Sequence, residues 1–177
     1  KFQRKKYSSE YPSIKIIDYN INRGVSYASN KAINSTDSDY FMRVDADDFL
    51  SIRASLILIT FLENNKNYPF VYGDIEKIEK KESNKIIKRN KLQNLLEYGA
   101  GVMFRTKILK EIKGYDTNLR NCEDYDLVAR IIKKYGHGLY LPISYYRYYK
   151  TNMGHLTNLK SRLKLIEKIK KKYEKYL

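Results

Sequence analysis

Cysteine occurs once in these 177 residues, at Cys122, and tryptophan does not occur at all. A lone thiol closes no internal disulfide and has no second thiol with which to build a zinc or iron–sulfur centre, so a reducing compartment fits. Long apolar runs are missing too. The longest, residues 49–62, contains Arg53 and falls short of the roughly 20 residues that cross a bilayer. No charged, apolar and small-residue succession marks a secretory signal. The first residue is Lys rather than Met, so we expect a processed chain or a fragment. No repeat and no low-complexity linker divides it.

What is plentiful is positive charge and tyrosine: 35 Lys+Arg stand against 20 Asp+Glu, for a net charge of +15, and there are 18 Tyr. Such a balance invites a nucleic-acid reading, since cations neutralise phosphates and rings stack on bases. The basic residues are spread along the whole chain, however, and Lys, Asn, Ile and Tyr are together what an AT-rich bacterial genome encodes, so no nucleic-acid partner is expected. Weak attraction to anionic lipid fits better. With 42% hydrophobic and 31% charged residues, a single domain's core can form and an ordered chain is expected.

Periodicity gives alternating elements. Residues 14–17 read as a strand, 26–34 as a helix after the Asn22-Arg23-Gly24 turn, and 40–44 as a central strand whose one charge is Arg43. Helix is expected over 51–64, strand over 69–73, and an exposed hairpin over 75–91. The Gly99-Ala100-Gly101 break precedes a strand at 102–105, and Thr106 is expected to cap a short helix ending at Gly114. Glu123-Asp124 opens a clearer helix with Leu127, Val128, Ile131 and Ile132 as its stripe, Lys133-Lys134 at its end and Gly136 as its stop. Residues 139–149 read as an aromatic strand. From Leu159 onward Leu163, Ile166, Ile169, Tyr173 and Leu177 recur at helical steps between lysines, a basic amphipathic helix that packs on the core or lies on a membrane. The expected division is a catalytic unit over residues 1–157 and this helix over 158–177. Strands alternating with helices imply an α/β layer architecture, with ligands beyond the carboxyl ends of the strands.

At one such end stand Asp45, Asp47 and Asp48. Three carboxylates within four residues repel one another unless a cation, a base or solvent relieves them, and hard divalent cations take oxygen ligands, often one or two carboxylates plus substrate phosphates. The competing structural role gives Asp48 to the following helix as its cap. Glu123 and Asp124, for their part, complement a helix dipole whatever else they do. Cys122 at that helix start has no evident base beside it, and a buried structural thiol is expected.

Taken in order, Asn22-Arg23-Gly24-Val25-Ser26-Tyr27-Ala28-Ser29-Asn30, Val44-Asp45-Ala46-Asp47-Asp48, Gly99-Ala100-Gly101-Val102-Met103-Phe104-Arg105, Gly114-Tyr115-Asp116, Glu123-Asp124-Tyr125-Asp126-Leu127 with Arg130, and Tyr146-Arg147 resemble the family 2 inverting glycosyltransferases. The series is far more specific than any single member. The resemblance implies a GT-A-type, Rossmann-like mixed sheet flanked by helices, lacking the family's first strand, helix and second strand. It implies transfer of a sugar from a nucleotide-diphosphate donor, a UDP-sugar foremost, to a glycan or lipid-linked acceptor hydroxyl with inversion, in bacterial surface polysaccharide synthesis. Carried over residue by residue, Asp47 and Asp45 hold Mn²⁺ or Mg²⁺, and Asp45 also reaches the donor. Asn22, Gly24, Asn30, Gly99, Gly101 and Arg147 line the donor, Asp124 is the base, and Glu123 orients the acceptor. The implied location is the cytoplasm, with peripheral contact to the inner membrane.

Three departures stand out. The first strand here corresponds to the family's third, which puts donor affinity of this piece in doubt. Tyr149 occupies the place of a metal- or diphosphate-facing histidine, with His155 nearby, and Ser29 replaces an arginine, removing a phosphate contact. Two rival readings remain open. One is an aspartate-nucleophile phosphatase, for which Gly73-Asp74 is a faint echo of the second acidic pair. The other is a basic membrane- or nucleic-acid-binding module built on the terminal helix.

Overall fold

The computed structural model describes residues 10–79, 86–88, 95, 99–150 and 159–177. In chain order the elements are α1 (Val25–Asn34), β1 (Tyr40–Met42), β2 (Phe49–Leu50), α2 (Ala54–Asn64), β3 (Phe70–Glu79), β4 (Ile86–Lys88), β5 (Met103–Arg105), α3 (Thr106–Glu111), α4 (Glu123–Tyr135), β6 (Leu139–Lys150) and α5 (Leu159–Tyr173). One mixed sheet runs β1-β5-β3-β6-β2, with β4 on β3. β3 and β6 are parallel and the remaining pairs antiparallel.

Period-2 alternation along β3 assigns the two faces of the sheet. Phe70 and Tyr72 point into one core with Phe104, Leu127, Val128, Ile131 and Ile132. Val71 and Ile75 point into the other, with Ala54, Leu58 and Leu62 of α2 and with Tyr145 and Tyr146 of β6. The result is helix, sheet, helix. α5 adds Ile169 and Tyr173 to the α4 side, both buried, so part of its apolar stripe is spent on packing.

Sequence chemistry explains α4 well. Glu123, Asp124 and Asp126 occupy its first turn, Lys133 and Lys134 its last, and Gly136 ends it at φ 89°, a conformation that costs glycine nothing. Arg130 bonds Asp126 one turn back and donates to the carbonyls of Ile112 (3.0 Å) and Gly114 (2.7 Å), which ties α4 to the chain leaving α3.

Several expectations change. Residues 14–17 form no strand, and Ile14, Ile16 and Ile17 are exposed; a strand exists only with a ladder, and no described segment supplies one. β1 stops at Met42 and, among the described residues, pairs only with β5, so it is an edge rather than a central strand. Helix α2 begins at Ala54, later than expected. Thr106 is the first residue of α3 and not its cap: Arg105 holds that position, no side chain bonds the helix start, and α3 ends at Glu111. Asp48 does not cap α2. The β3–β4 pairing agrees with a hairpin, residues 80–85 lying outside the described set.

Candidate active site

Arg43, the one charge in an otherwise apolar strand segment, organises the site. Its carbonyl accepts from the Gly101 N–H at 2.9 Å, fixing the chain against the turn ahead of β5. Its guanidinium forms a two-pronged pair with Asp124, Nη1 to Oδ1 and Nη2 to Oδ2, both at 2.9 Å. On its other side Nε lies 3.0 Å from Asp45 Oδ1. That N–H is not aimed at the oxygen, so the contact is an ion pair rather than a hydrogen bond. Glu123 Oε1 stands 3.8 Å from Nη1, and the Tyr115 ring lies 5.9 Å from the guanidinium carbon. A single cation therefore joins the acidic cluster after β1 to the acidic start of α4.

These groups are sheltered, with side-chain exposures of 13% for Arg43, 13% for Glu123 and 14% for Asp124. Burial pushes the Asp124 carboxyl above its ordinary value, and Arg43 and the Gly99 N–H only partly offset this. Glu123 is raised for the same reason, with Asp124 adding repulsion. Burial alone would lower Arg43, but Asp124, Tyr115 and Asp45 hold it above its usual value. One cation facing three carboxylates leaves net negative charge in a part-dry place.

Glycine has a steric task here. A Cβ on Gly99 would fall 2.2 Å from the Asp124 carboxyl, so the bare backbone lets its N–H reach that carboxylate. Gly101, at φ 81°, sits under the Tyr146 ring, where a Cβ would come within 2.7 Å. Both glycines adjoin the acidic site, packed on protein groups.

Asp48 is buried and anchors β6. It accepts from the Tyr146 hydroxyl at 2.6 Å and from the Tyr149 N–H at 2.9 Å. Burial raises its pKa despite those two bonds. The same Tyr146 hydroxyl accepts from the Asp45 N–H at 3.3 Å. Within the Tyr146-Arg147 pair it is thus the tyrosine that reaches the acidic cluster, whereas Arg147 bonds Glu76 Oε2 at 3.0 Å. Tyr149 lays its ring on Phe49, centroids 5.6 Å apart. His155 lies outside the described residues.

The early motif divides. Asn22 Oδ1 accepts from the Gly24 N–H at 2.9 Å, and both residues, with Ile17, Asp18, Tyr19 and Ala28, line an open cavity of about 460 Å³. Asn30 instead clasps the Tyr115 backbone, donating to its carbonyl and accepting from its N–H, each at 2.8 Å. It holds in place the ring that covers Arg43. Ser29 is buried in α1, and Cys122, half-buried, stands in a left-handed turn against the core ahead of α4. Asp74 is buried and takes the Tyr140 hydroxyl at 2.6 Å.

Asp47 is exposed and Asp45 keeps 39% of its side chain open. Among the described residues no three acidic, histidine or cysteine side chains converge as a ready metal site. The donor set still suits a hard divalent cation. Two solvent-facing carboxylates supply oxygens and leave further positions to water or phosphate, the usual arrangement for Mg²⁺.

Sequence reasoning missed Arg43 and the part of Tyr146. The signal for the first was a lone arginine in the apolar Tyr40–Val44 run. For Tyr146, nothing local distinguished it from its neighbouring tyrosines.

Comparison with known proteins adds the lineage. In S. aureus TarS 1-349 in complex with UDP-GlcNAc, the matching part has a TM-score of 0.68 at 16% identity, covering 94% of this chain and 54% of that one. The mannosyltransferase PcManGT of Pyrobaculum calidifontis, in complex with GDP-Man and Mn²⁺, gives 0.61 at 13%, covering 86% and 44%. At such identities the likeness shows the fold, which is that of the GT-A glycosyltransferases. An uncharacterized protein y4gI of Sinorhizobium fredii is 23% identical over 135 residues, 72% of this chain and 15% of its own length. The chain thus spans about half the length of the solved relatives and far less of the curated one. A family model described as glycosyl transferase family 2 matches residues 2–118, ending ahead of Glu123 and Asp124. By that match over most of its length, the chain belongs to glycosyl transferase family 2.

Proposed function

We propose that this chain carries the acceptor-side chemistry and the metal-binding acids of a glycosyltransferase that moves a sugar from a nucleotide diphosphate to a hydroxyl with inversion. The observation that supports it most is the Arg43 bridge, which holds Asp45 and Asp124 on two sides of one guanidinium. A shared site for departing diphosphate and incoming hydroxyl requires that proximity.

Asp124 is the base. Its raised pKa increases its appetite for a proton, and each carboxylate oxygen has a second lone pair beyond the bond to Arg43. As the acceptor oxygen bonds the anomeric carbon from the face opposite the diphosphate, Asp124 takes the hydroxyl proton. Glu123 orients that hydroxyl. Asp47 and Asp45 would hold the divalent cation, which neutralises charge on the leaving diphosphate when bound. Asn22 and Gly24, which line the open cavity at the start of α1, would contact the donor, and Arg43 keeps Asp124 in place. The solved neighbours are complexes with UDP-GlcNAc and with GDP-Man, which favours a UDP- or GDP-sugar here. A lipid-linked or glycan acceptor in surface polysaccharide synthesis follows from the family alone. Since a nucleotide diphosphate does not cross a bilayer unaided, the reading places the chain on the cytoplasmic side.

Calorimetric titration with UDP-, GDP-, CMP- and dTDP-sugars, with and without Mn²⁺, tests the proposal. Asp47→Ala should remove the metal-dependent part of binding, and Asp124→Asn should preserve donor binding while abolishing turnover. Turnover unchanged in Asp124→Asn would remove it as the base. Equal binding with and without Mn²⁺ would remove the metal assignment.

A further inference from the structure

A register shift in β6 brings two neighbouring tyrosines to one face of the sheet. In a regular strand Tyr145 and Tyr146 would point to opposite sides. Here the pairing with β3 steps from Asp74 opposite Ser144 to Ile75 opposite Tyr146, which leaves Tyr145 as an extra residue. Such an insertion re-aims side chains, and both rings are buried in the core shared with α2, at 4% and 1% exposure. Their hydroxyls serve different places. Tyr145 donates to the Gly101 carbonyl at 2.7 Å and accepts from the Gly73 N–H at 3.1 Å, joining β6 to β3 and to the glycine turn ahead of β5. Tyr146 turns to the acidic cluster.

A phenolic hydroxyl has one proton to give and lone pairs to receive. That of Tyr146 gives its proton to Asp48 Oδ2 and receives the Asp45 N–H, so one oxygen clamps both ends of the turn 45–48. The turn also closes on itself, the Asp48 N–H donating to the Asp45 carbonyl at 3.1 Å. Between the clamped ends stands Asp47, exposed. A turn free to vary its backbone would spread its carboxylates over many directions. Cation affinity depends on ligands already oriented by groups that do not themselves touch the metal.

We infer that Tyr146 is a positioning residue for cation binding: through the Asp45 N–H and the Asp48 carboxylate, its hydroxyl fixes the turn that presents Asp45 and Asp47. The inference rests on the metal-binding role proposed for those two acids.

Titration of the 177-residue chain with Mn²⁺ alone, followed by loss of the free-ion paramagnetic resonance signal, tests it. Tyr146→Phe should weaken Mn²⁺ binding about tenfold and speed hydrogen exchange at the Asp45 amide. Tyr145→Phe removes an equally buried hydroxyl with two bonds of its own, so it controls for loosened packing and should keep the wild-type affinity. Tyr146→Phe also leaves Asp48 short of a donor, which carries its own cost. The double variant with Asp48→Asn relieves that cost and should show the same loss of Mn²⁺. The inference is overturned if Tyr146→Phe matches the wild type in Mn²⁺ affinity or in Asp45 exchange, if Tyr145→Phe loses as much affinity, or if adding Asp48→Asn restores it. Asp47→Ala separates the two readings. If it weakens Mn²⁺ and Tyr146→Phe does not, the positioning role alone falls. A wild-type chain that binds no Mn²⁺, or binds it equally after Asp47→Ala, removes the metal-binding reading and this inference with it.

Discussion

Arg43→Gln leaves Asp124 without its two-pronged partner and Glu123 and Asp45 without their shared cation. Removing one partner of a sheltered ion pair costs more than the pair contributes, because the other charge stays desolvated; about 3 kcal/mol of stability is expected to be lost, measured by urea unfolding. Gly99→Ala acts on the same carboxylate from the other side. The new methyl would occupy the space of the Asp124 carboxyl, and overpacking should cost about 1–3 kcal/mol. The pH dependence has a defined sign. Glu123 has a folded pKa above its unfolded one, so its favourable contribution is full below the unfolded value, about 4.3, and is lost as pH rises through the folded value. Glu123→Gln should therefore raise the melting temperature relative to wild type at pH 7 and do little at pH 4. An equal effect at both pH values would contradict that origin.

At the scale of elements, α4 was fully legible: stripe, acidic start, basic end and glycine stop all lie within one helix, so local pattern sufficed. Residues 14–17 have equally good strand composition and form none, because pairing is not a local property. The same distinction explains Asp48, placed by sequence on a helix start three residues away yet bonded to Tyr146 and Tyr149 about 100 positions later. Chain order likewise showed Asp45 and Asp124 as separate motifs, while the guanidinium between them needed the fold. α5 belongs to the core in an energetic sense as well. Ile169→Ala should cost about 3 kcal/mol through lost transfer energy and the cavity left behind, read as a shifted denaturant midpoint with unchanged slope.

For the whole molecule, +15 of net charge on one small domain is a standing self-repulsion. Raising salt from about 10 mM to about 150 mM shortens the screening length from roughly 30 Å to roughly 8 Å. The melting temperature should climb by about 2–4 °C for each kcal/mol relieved. A fall across that interval would mean that the internal ion pairs outweigh the surface repulsion.

The pairing of β3 with β6 joins Val71 to Leu139 and continues to Glu79 and Lys150, while Asp48 waits for Tyr149. Closing so wide a loop is an entropically slow event. On a translating ribosome, then, the aspartates emerge long before the tyrosines that restrain them. Until synthesis passes about residue 150, Asp48 lacks both of its tyrosine partners and β3 lacks its parallel neighbour, so this half of the sheet can close only late.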